Sequence, residues 1–226
     1  MTVSAPFRHV LFDLDGTLID SRAAVTACYT KVFREKLDRD FPPFEIRPAE
    51  VFAMRPPELF GHVAPERVRE LHEAYREAYP SCVHLVKRFE GARELVLSLV
   101  ENGCKPSLVT NKGIDRTKLD LETIGLDPSV FTAIVTAEDT TARKPDPAPI
   151  LLGLERAGAA AGDAVYVGDG PHDIEAAHAA GMPAIAVTYG FYGHADLSPY
   201  EPWAIVETVS GLAKRLAVPL MAGSPS

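Results

Sequence analysis

Cysteine is scarce in this chain: among 226 residues there are three, Cys28, Cys82 and Cys104, and no two form a CxxC pair. An odd, scattered set fits free thiols packed in a reducing compartment better than a disulfide framework. Long apolar runs are missing as well. Nowhere do about 18 apolar residues follow one another, which excludes a membrane-spanning helix. The opening MTVSAPFRHVLFDLD holds no charged leader followed by an apolar stretch, so a cytoplasmic location is expected. Basic residues are in deficit, with 23 Lys and Arg against 31 Asp and Glu and a formal charge of -8. That balance argues against nucleic acid and against an anionic membrane as partners, and leaves small molecules. The seven histidines do not gather at zinc-site spacings, and no internal repeat is found.

What is present begins with HVLFDLDGTLIDS, residues 9–21. It reads as a strand covered on both faces that then carries two aspartates, Asp13 and Asp15, at i and i+2. A strand has a side-chain period of two, so the pair starts on one side and repels. A cation is therefore expected between them. Gly16 and Thr17 supply a tight turn and a hydroxyl, which marks the end of a strand, where open α/β sheets bind ligands.

From residue 89 the chain alternates strands (SLVTN, AIVTAED, AVYVGD, AIAVTYG) with amphipathic helices. In GARELVLSLVENG the residues Leu95, Val96, Leu99 and Val100 make one apolar stripe, and Gly103 ends the helix. Gly125, Gly158 and Gly181 are expected to end others. This order predicts βαβ units in a doubly wound, mostly parallel α/β sheet with a Rossmann-like core. Residues 20–88 differ. SRAAVTACYTKVFREKL and APERVRELHEAYREAY read as helices joined by the Pro-rich FPPFEIRPAEVFAMRPPELF, with one or two short helices in it, and no strand is evident. The expected organisation is a core of residues 1–19 and 89–226, interrupted by a helical insertion at 20–88. Glu66, Arg67, Arg69, Glu70 and Glu73 read as a solvated helix face. The tail PLMAGSPS is expected to fray.

Every core strand runs out in polar residues: Asp13 and Asp15, Thr110 and Asn111, Glu138 and Asp139, then Asp169. Lys144 and Asp173 follow close behind strands, so four acids, Asp13, Asp15, Asp169 and Asp173, are expected to meet one lysine. Such a group needs a further cation, and hard carboxylate oxygens without cysteine or histidine select magnesium. A magnesium ion that keeps several waters can in turn bind a phosphate oxygen.

In this order, DLDGT, TNK, KPDP and GDGPHD resemble the four motifs of the haloacid dehalogenase superfamily of phosphohydrolases. DGTLIDS, VTNK, KPDPAPIL and AVTYGFYG are similar to its phosphoglycolate phosphatase-like branch, with a helical cap. The resemblance implies that Asp13 is the nucleophile and Asp15 the general acid and base. It implies magnesium on Asp13, the main-chain carbonyl of Asp15, and Asp169, with Thr110, Asn111 and Lys144 on the phosphoryl group. Asp173 would orient a metal-bound water or pair with Lys144, with Thr17 supporting. Arg55, beside two prolines, either grips a substrate carboxylate or is a surface arginine. His172 and His194 are expected to be surface or packing residues. The implied activity is magnesium-dependent hydrolysis of a small phosphorylated metabolite by a monomer or homodimer. A pyrophosphatase, a sugar-phosphate mutase and a non-catalytic binding module remain as alternatives. Two departures stand out: Gly170 where relatives often have Ser or Thr, and Glu90-Gly91 in place of Pro-Gly.

Overall fold

The computed structural model describes residues 7–43, 51–52 and 54–220. Parts of the expected Pro-rich connection (44–50 and 53) and of the tail (221–226) lie outside the described residues, as do residues 1–6 of the opening stretch.

The apolar runs form a parallel sheet. β1 (His9–Phe12) is buried along its whole length. β2 (Ile19–Asp20) and β3 (Lys87–Arg88) form a separate two-stranded sheet. β4 (Lys105–Val109), β5 (Ile134–Val135), β6 (Ala164–Gly168), β7 (Ala184–Val187) and β8 (Ala204–Val206) join β1 in the order β5-β4-β1-β6-β7-β8, with every neighbouring pair parallel. Phe12 stands opposite Leu108 on one side and Val167 on the other, so β1 is central. A central parallel strand is covered on both faces, which is why HVLF is continuously apolar. β8, half-buried at the edge, is not evident in the sequence because AIV is too short to show a period.

The chain divides into two compact units. One takes the chain up to Asp20 and again from Arg88; the other is Ser21–Lys87. The second is helical: α1 (Arg22–Val32), continued by a π-type turn Phe33–Leu37, then α2 (Pro56–Val63) and α3 (Val68–Cys82). Aromatic rings fill its interior. Tyr29 stacks on Phe41 with ring centroids 4.9 Å apart, and meets Tyr75 at 4.8 Å and Phe60 at 5.7 Å. The expected solvated face carries exposed pairs, Arg67 with Glu70 at 2.8 Å and Arg69 with Glu73 at 3.1 Å. Ser21 occupies the N-cap position of α1 without a side-chain capping bond.

In the sheet unit the helices are α4 (Ala92–Glu101), α5 (Ile114–Thr123), α6 (Ala148–Ala157), α7 (Pro171–Ala179), the short α8 (His194–Leu197) and α9 (Val209–Arg215). Leu95, Val96 and Leu99 of α4 are buried as expected, whereas Val100 is 45% exposed. Gly103, Gly125, Gly158 and Gly181 all take positive φ just past a helix. α6 lies so near the sheet that a Cβ on Gly153 would come 2.8 Å from Val109 Cγ2. The three cysteines are buried free thiols. Among the described residues no helix is long and apolar enough to cross a membrane.

Tyr29 is 1% exposed and touches four aromatic rings among the described residues. Tyr29→Ala removes a ring that its neighbours cannot replace, and is expected to cost about 3–5 kcal/mol. Urea unfolding followed by circular dichroism measures it; a cost under about 1 kcal/mol would show that the helical interior collapses around the gap.

Candidate active site

Strand order brings the polar strand ends together. β1 lies between β4 and β6, and all three point the same way, so Asp13 emerges between Thr110 and Asp169. The chain builds outward from β1 in both directions, which makes this edge the topological switch point of the sheet. The Asp13 N–H donates to the Val167 carbonyl at 2.9 Å, extending the strand pairing to the aspartate itself.

Lys144 is the centre of the cluster. It is 2% exposed, and its Nζ donates to Asp173 Oδ1 at 2.7 Å, to the Tyr166 hydroxyl at 2.7 Å and to the Val109 carbonyl at 3.2 Å. Asp13 Oδ1 lies 2.9 Å from the same nitrogen. That buried oxygen is ion-paired with the ammonium and has no hydrogen-bond partner among the described residues. Asn111 holds the lysine from behind: its Oδ1 accepts from the Lys144 N–H at 3.2 Å and its Nδ2 donates to the Lys144 carbonyl at 3.3 Å. Both amide atoms expected on a phosphoryl group thus meet the main chain of Lys144. Thr110 is buried at the end of β4, its Oγ1 accepting the Lys112 N–H at 3.1 Å.

The acids do not share one lysine. Asp15 Oδ1 accepts instead from Lys112 Nζ at 2.9 Å, and Lys112 is also paired with Asp120 on α5. Glu138 and Asp139, at the end of β5, serve local ends: Glu138 Oε2 accepts the Ile114 N–H at 2.9 Å, and Asp139 Oδ2 accepts the Thr136 N–H at 2.8 Å. Asp169 Oδ2 accepts the Phe191 N–H at 2.7 Å. The loop carrying Phe191 lies against both neighbours, because a Cβ on Gly190 would fall 2.3 Å from the Gly16 carbonyl oxygen and 2.5 Å from Asp169 Cβ. A Cβ on Gly16, at φ +79, would fall 2.1 Å from Asp169 Oδ2. Two glycines therefore let two loops converge on one carboxylate. Thr17 is fully buried, its carbonyl accepting from the Tyr189 hydroxyl at 3.1 Å.

Sequence reasoning leaves Lys112, Asp120, Tyr166 and His172 without a role. Lys112 carries a signal, being the last letter of TNK. Tyr166 carries none, since a tyrosine inside an apolar strand reads as core. His172 has a clue in Gly170, where a Cβ would lie 2.3 Å from the imidazole, so the missing side chain leaves room for the ring. That ring reaches Asp173 Oδ1 at 3.6 Å. Arg55 belongs to the helical unit, at the N-cap of α2. Its N–H donates to Glu58 Oε2 at 3.0 Å, its Nη2 is 3.6 Å from Glu58 Oε1, and its Nε is buried without a hydrogen-bond partner among the described residues.

Asp13 and Asp173 are buried beside one ammonium, and Asp169 is buried near them with its carboxylate on the Phe191 N–H instead. Burial, then Asp173 and Asp13, pushes the Asp169 carboxyl well above the usual range. Burial also raises Asp13, although Lys144 opposes it. Burial acts the same way on Asp173, but His172, Lys144 and the Gly170 N–H outweigh it and hold that carboxyl low. Burial disfavours the Lys144 ammonium, yet Asp13 and Asp173 keep it charged. Ligand atoms of Asp13, His172 and Asp173 lie within 4.8 Å of one another. Excess buried negative charge and an oxygen without a hydrogen bond fit a hard divalent cation.

The haloacid dehalogenase-like hydrolase family model matches residues 10–187. The chain belongs to that family. It is 33% identical over 207 residues to the pyrophosphatase PpaX of Bacillus velezensis, covering 90% of this chain and 93% of that protein. It is 33% identical over 196 residues to a phosphoglycolate phosphatase of Xylella fastidiosa, covering 84% and 83%. In fold it is similar to CbbY of Rhodobacter sphaeroides in complex with phosphate, with a TM-score of 0.81 at 18% identity over 91% of this chain and 96% of that one. The α/β sheet of this chain is thus a known architecture.

Because the folded state retains the Asp169 proton to higher pH than the unfolded chain does, ionising Asp169 costs stability as pH rises above the ordinary carboxylate range. Asp169→Asn removes that cost. In metal-free buffer at neutral pH the variant is expected to melt about 2–4 °C above wild type if the relief is near 1 kcal/mol, with the gain vanishing below the ordinary carboxylate range. Calorimetry across pH checks this; a variant less stable at every pH contradicts it.

Proposed function

We propose that the protein is a magnesium-dependent phosphatase that hydrolyses a small phosphorylated metabolite through an aspartyl-phosphate, with a phosphoglycolate-like monoester favoured. The observation that carries this reading is the pair of strand-end aspartates held by different lysines. Asp13 is buried against Lys144, and Asp15 is held apart from it by Lys112. Two carboxylates with separate partners can take separate roles.

Asp13 attacks phosphorus, the bond to the leaving oxygen breaks, and the electron pair goes to that oxygen while the Asp15 carboxyl donates its proton to it. Water then attacks the aspartyl-phosphate, Asp15 takes the water proton, and the P–O bond to Asp13 breaks to release phosphate and restore the carboxylate. Lys144 neutralises part of the phosphoryl charge as it meets Asp13. Thr110 contacts the phosphoryl group, while Asn111 keeps Lys144 in place. Asp13, Asp169 and the Asp15 carbonyl would hold magnesium, which supplies charge neutralisation for the phosphoryl oxygens. Asp173 already accepts from Lys144 and Gly170, which favours its role as the partner of Lys144. Arg55, in the helical unit, would grip a substrate carboxylate. Three buried free thiols suit a cytoplasmic enzyme.

A pyrophosphatase is the second reading, favoured by the 33% identity to PpaX over nine-tenths of the chain. Phosphate release from p-nitrophenyl phosphate, 2-phosphoglycolate, pyrophosphate and sugar phosphates, with and without magnesium, separates the two. We expect magnesium-dependent release that Asp13→Asn lowers by roughly three orders of magnitude or more. Preference for pyrophosphate moves the assignment to the second reading; no release from any member by folded protein removes both.

A further inference from the structure

Lys112 is a costly residue for a fold to keep. Its side chain is 3% exposed, and Asp120, to which it is paired, is fully buried on α5. Its main chain is fixed on both sides, the N–H donating to Thr110 Oγ1 at 3.1 Å and the carbonyl accepting the Ala137 N–H at 3.0 Å. A buried ion pair of this kind adds little net stability compared with apolar packing of the same shape, so its presence calls for another use. The ammonium also reaches Asp15 Oδ1 at 2.9 Å, and Asp15 is the less enclosed member, with its side chain 25% exposed. Asp15 sits in the turn after β1, where the Gly16 N–H donates to the Ile19 carbonyl at 2.8 Å. A short carboxylate on a turn, open to water on one side, has more than one staggered rotamer available. One oxygen tied to a rigid, buried ammonium removes that freedom.

We propose that Lys112, itself aimed by Asp120, is a positioning residue that holds the Asp15 carboxyl in the orientation needed to deliver a proton to the leaving oxygen. This rests on the phosphatase reading and adds to it a second lysine with a distinct role, since Lys144 serves the nucleophile and Lys112 serves the proton carrier. The pair ties the β1 turn to α5 through a contact between residues 97 apart in sequence.

The signature is a dependence on the leaving group. Proton delivery matters little when the leaving oxygen is a good leaving group and much when it is poor. The quantity to read is kcat/KM, because it ends at the first phosphoryl transfer and is blind to later hydrolysis of the aspartyl-phosphate. A series from p-nitrophenyl phosphate to unsubstituted phenyl phosphate is measured with wild type, Asp15→Asn, Lys112→Met and the double variant Lys112→Met with Asp120→Asn. The double variant leaves no uncompensated charge from that pair and guards against loss of folding in the single one. Both Lys112 variants are expected to lower kcat/KM for phenyl phosphate at least roughly tenfold more than for p-nitrophenyl phosphate, in the same sense as Asp15→Asn. A general loosening of the fold lowers the whole series in parallel. A parallel fall in the folded Lys112 variants, with Asp15→Asn still selective, overturns the proposal and leaves the phosphatase reading intact. Loss of selectivity in Asp15→Asn overturns the proton-carrier role of Asp15 and the proposal with it, while no turnover by wild type overturns the phosphatase reading as well.

Discussion

The site depends on one buried ammonium that cannot neutralise all the carboxylates around it. Lys144 meets Asp13 and Asp173, while Asp169 lies close enough for both acids to raise its proton affinity. The surrounding groups act on this imbalance. The Tyr166 hydroxyl and the Val109 carbonyl take the remaining donors of the ammonium, Asn111 grips the lysine's main chain, and the Gly170 N–H takes the second oxygen of Asp173. The residual negative charge fits a hard cation.

Such an arrangement burdens the fold, because buried charges are stabilised only where partners are held rigidly. The sheet supplies that rigidity. β1 is central, buried and paired on both sides, and the Asp13 N–H continues the pairing to Val167. Gly16 and Gly190 allow two loops to touch Asp169 at distances that no side chain could share. The same contacts that hold the carboxylates close also keep them from relaxing apart, so the site draws on the stability of the apolar core beneath it.

Much of this is legible in the residues. Asp13, Thr110, Asp169 and Asp173 stand at strand ends or in the first turn of a helix, where apolar periodicity breaks, and that break is visible locally, whereas Lys144 lies in the loop between β5 and α6. Several helix ends are legible for the same reason, marked by Gly103, Gly125, Gly158 and Gly181 with positive φ. Glu138 and Asp139 look the same in sequence, yet they serve the start of α5 and the turn after β5. Tyr166 is hidden because its ring reads as core and only its hydroxyl belongs to the site. Val100 reads as part of a buried stripe, but it lies on the outer side of α4.

The sequence by itself determines the alternation of buried strands and amphipathic helices, the helical insertion after the first strand, and the acids at the strand ends. These depend on side-chain period and turn chemistry within a few residues. Only the tertiary structure decides which cation meets which acid. Lys112 reaches Asp15 across 97 residues and Lys144 reaches Asp173 across 29, because strand order and register bring those loops to one edge. A lysine's long, flexible side chain can serve any carboxylate within its reach, so no local pattern can choose among them.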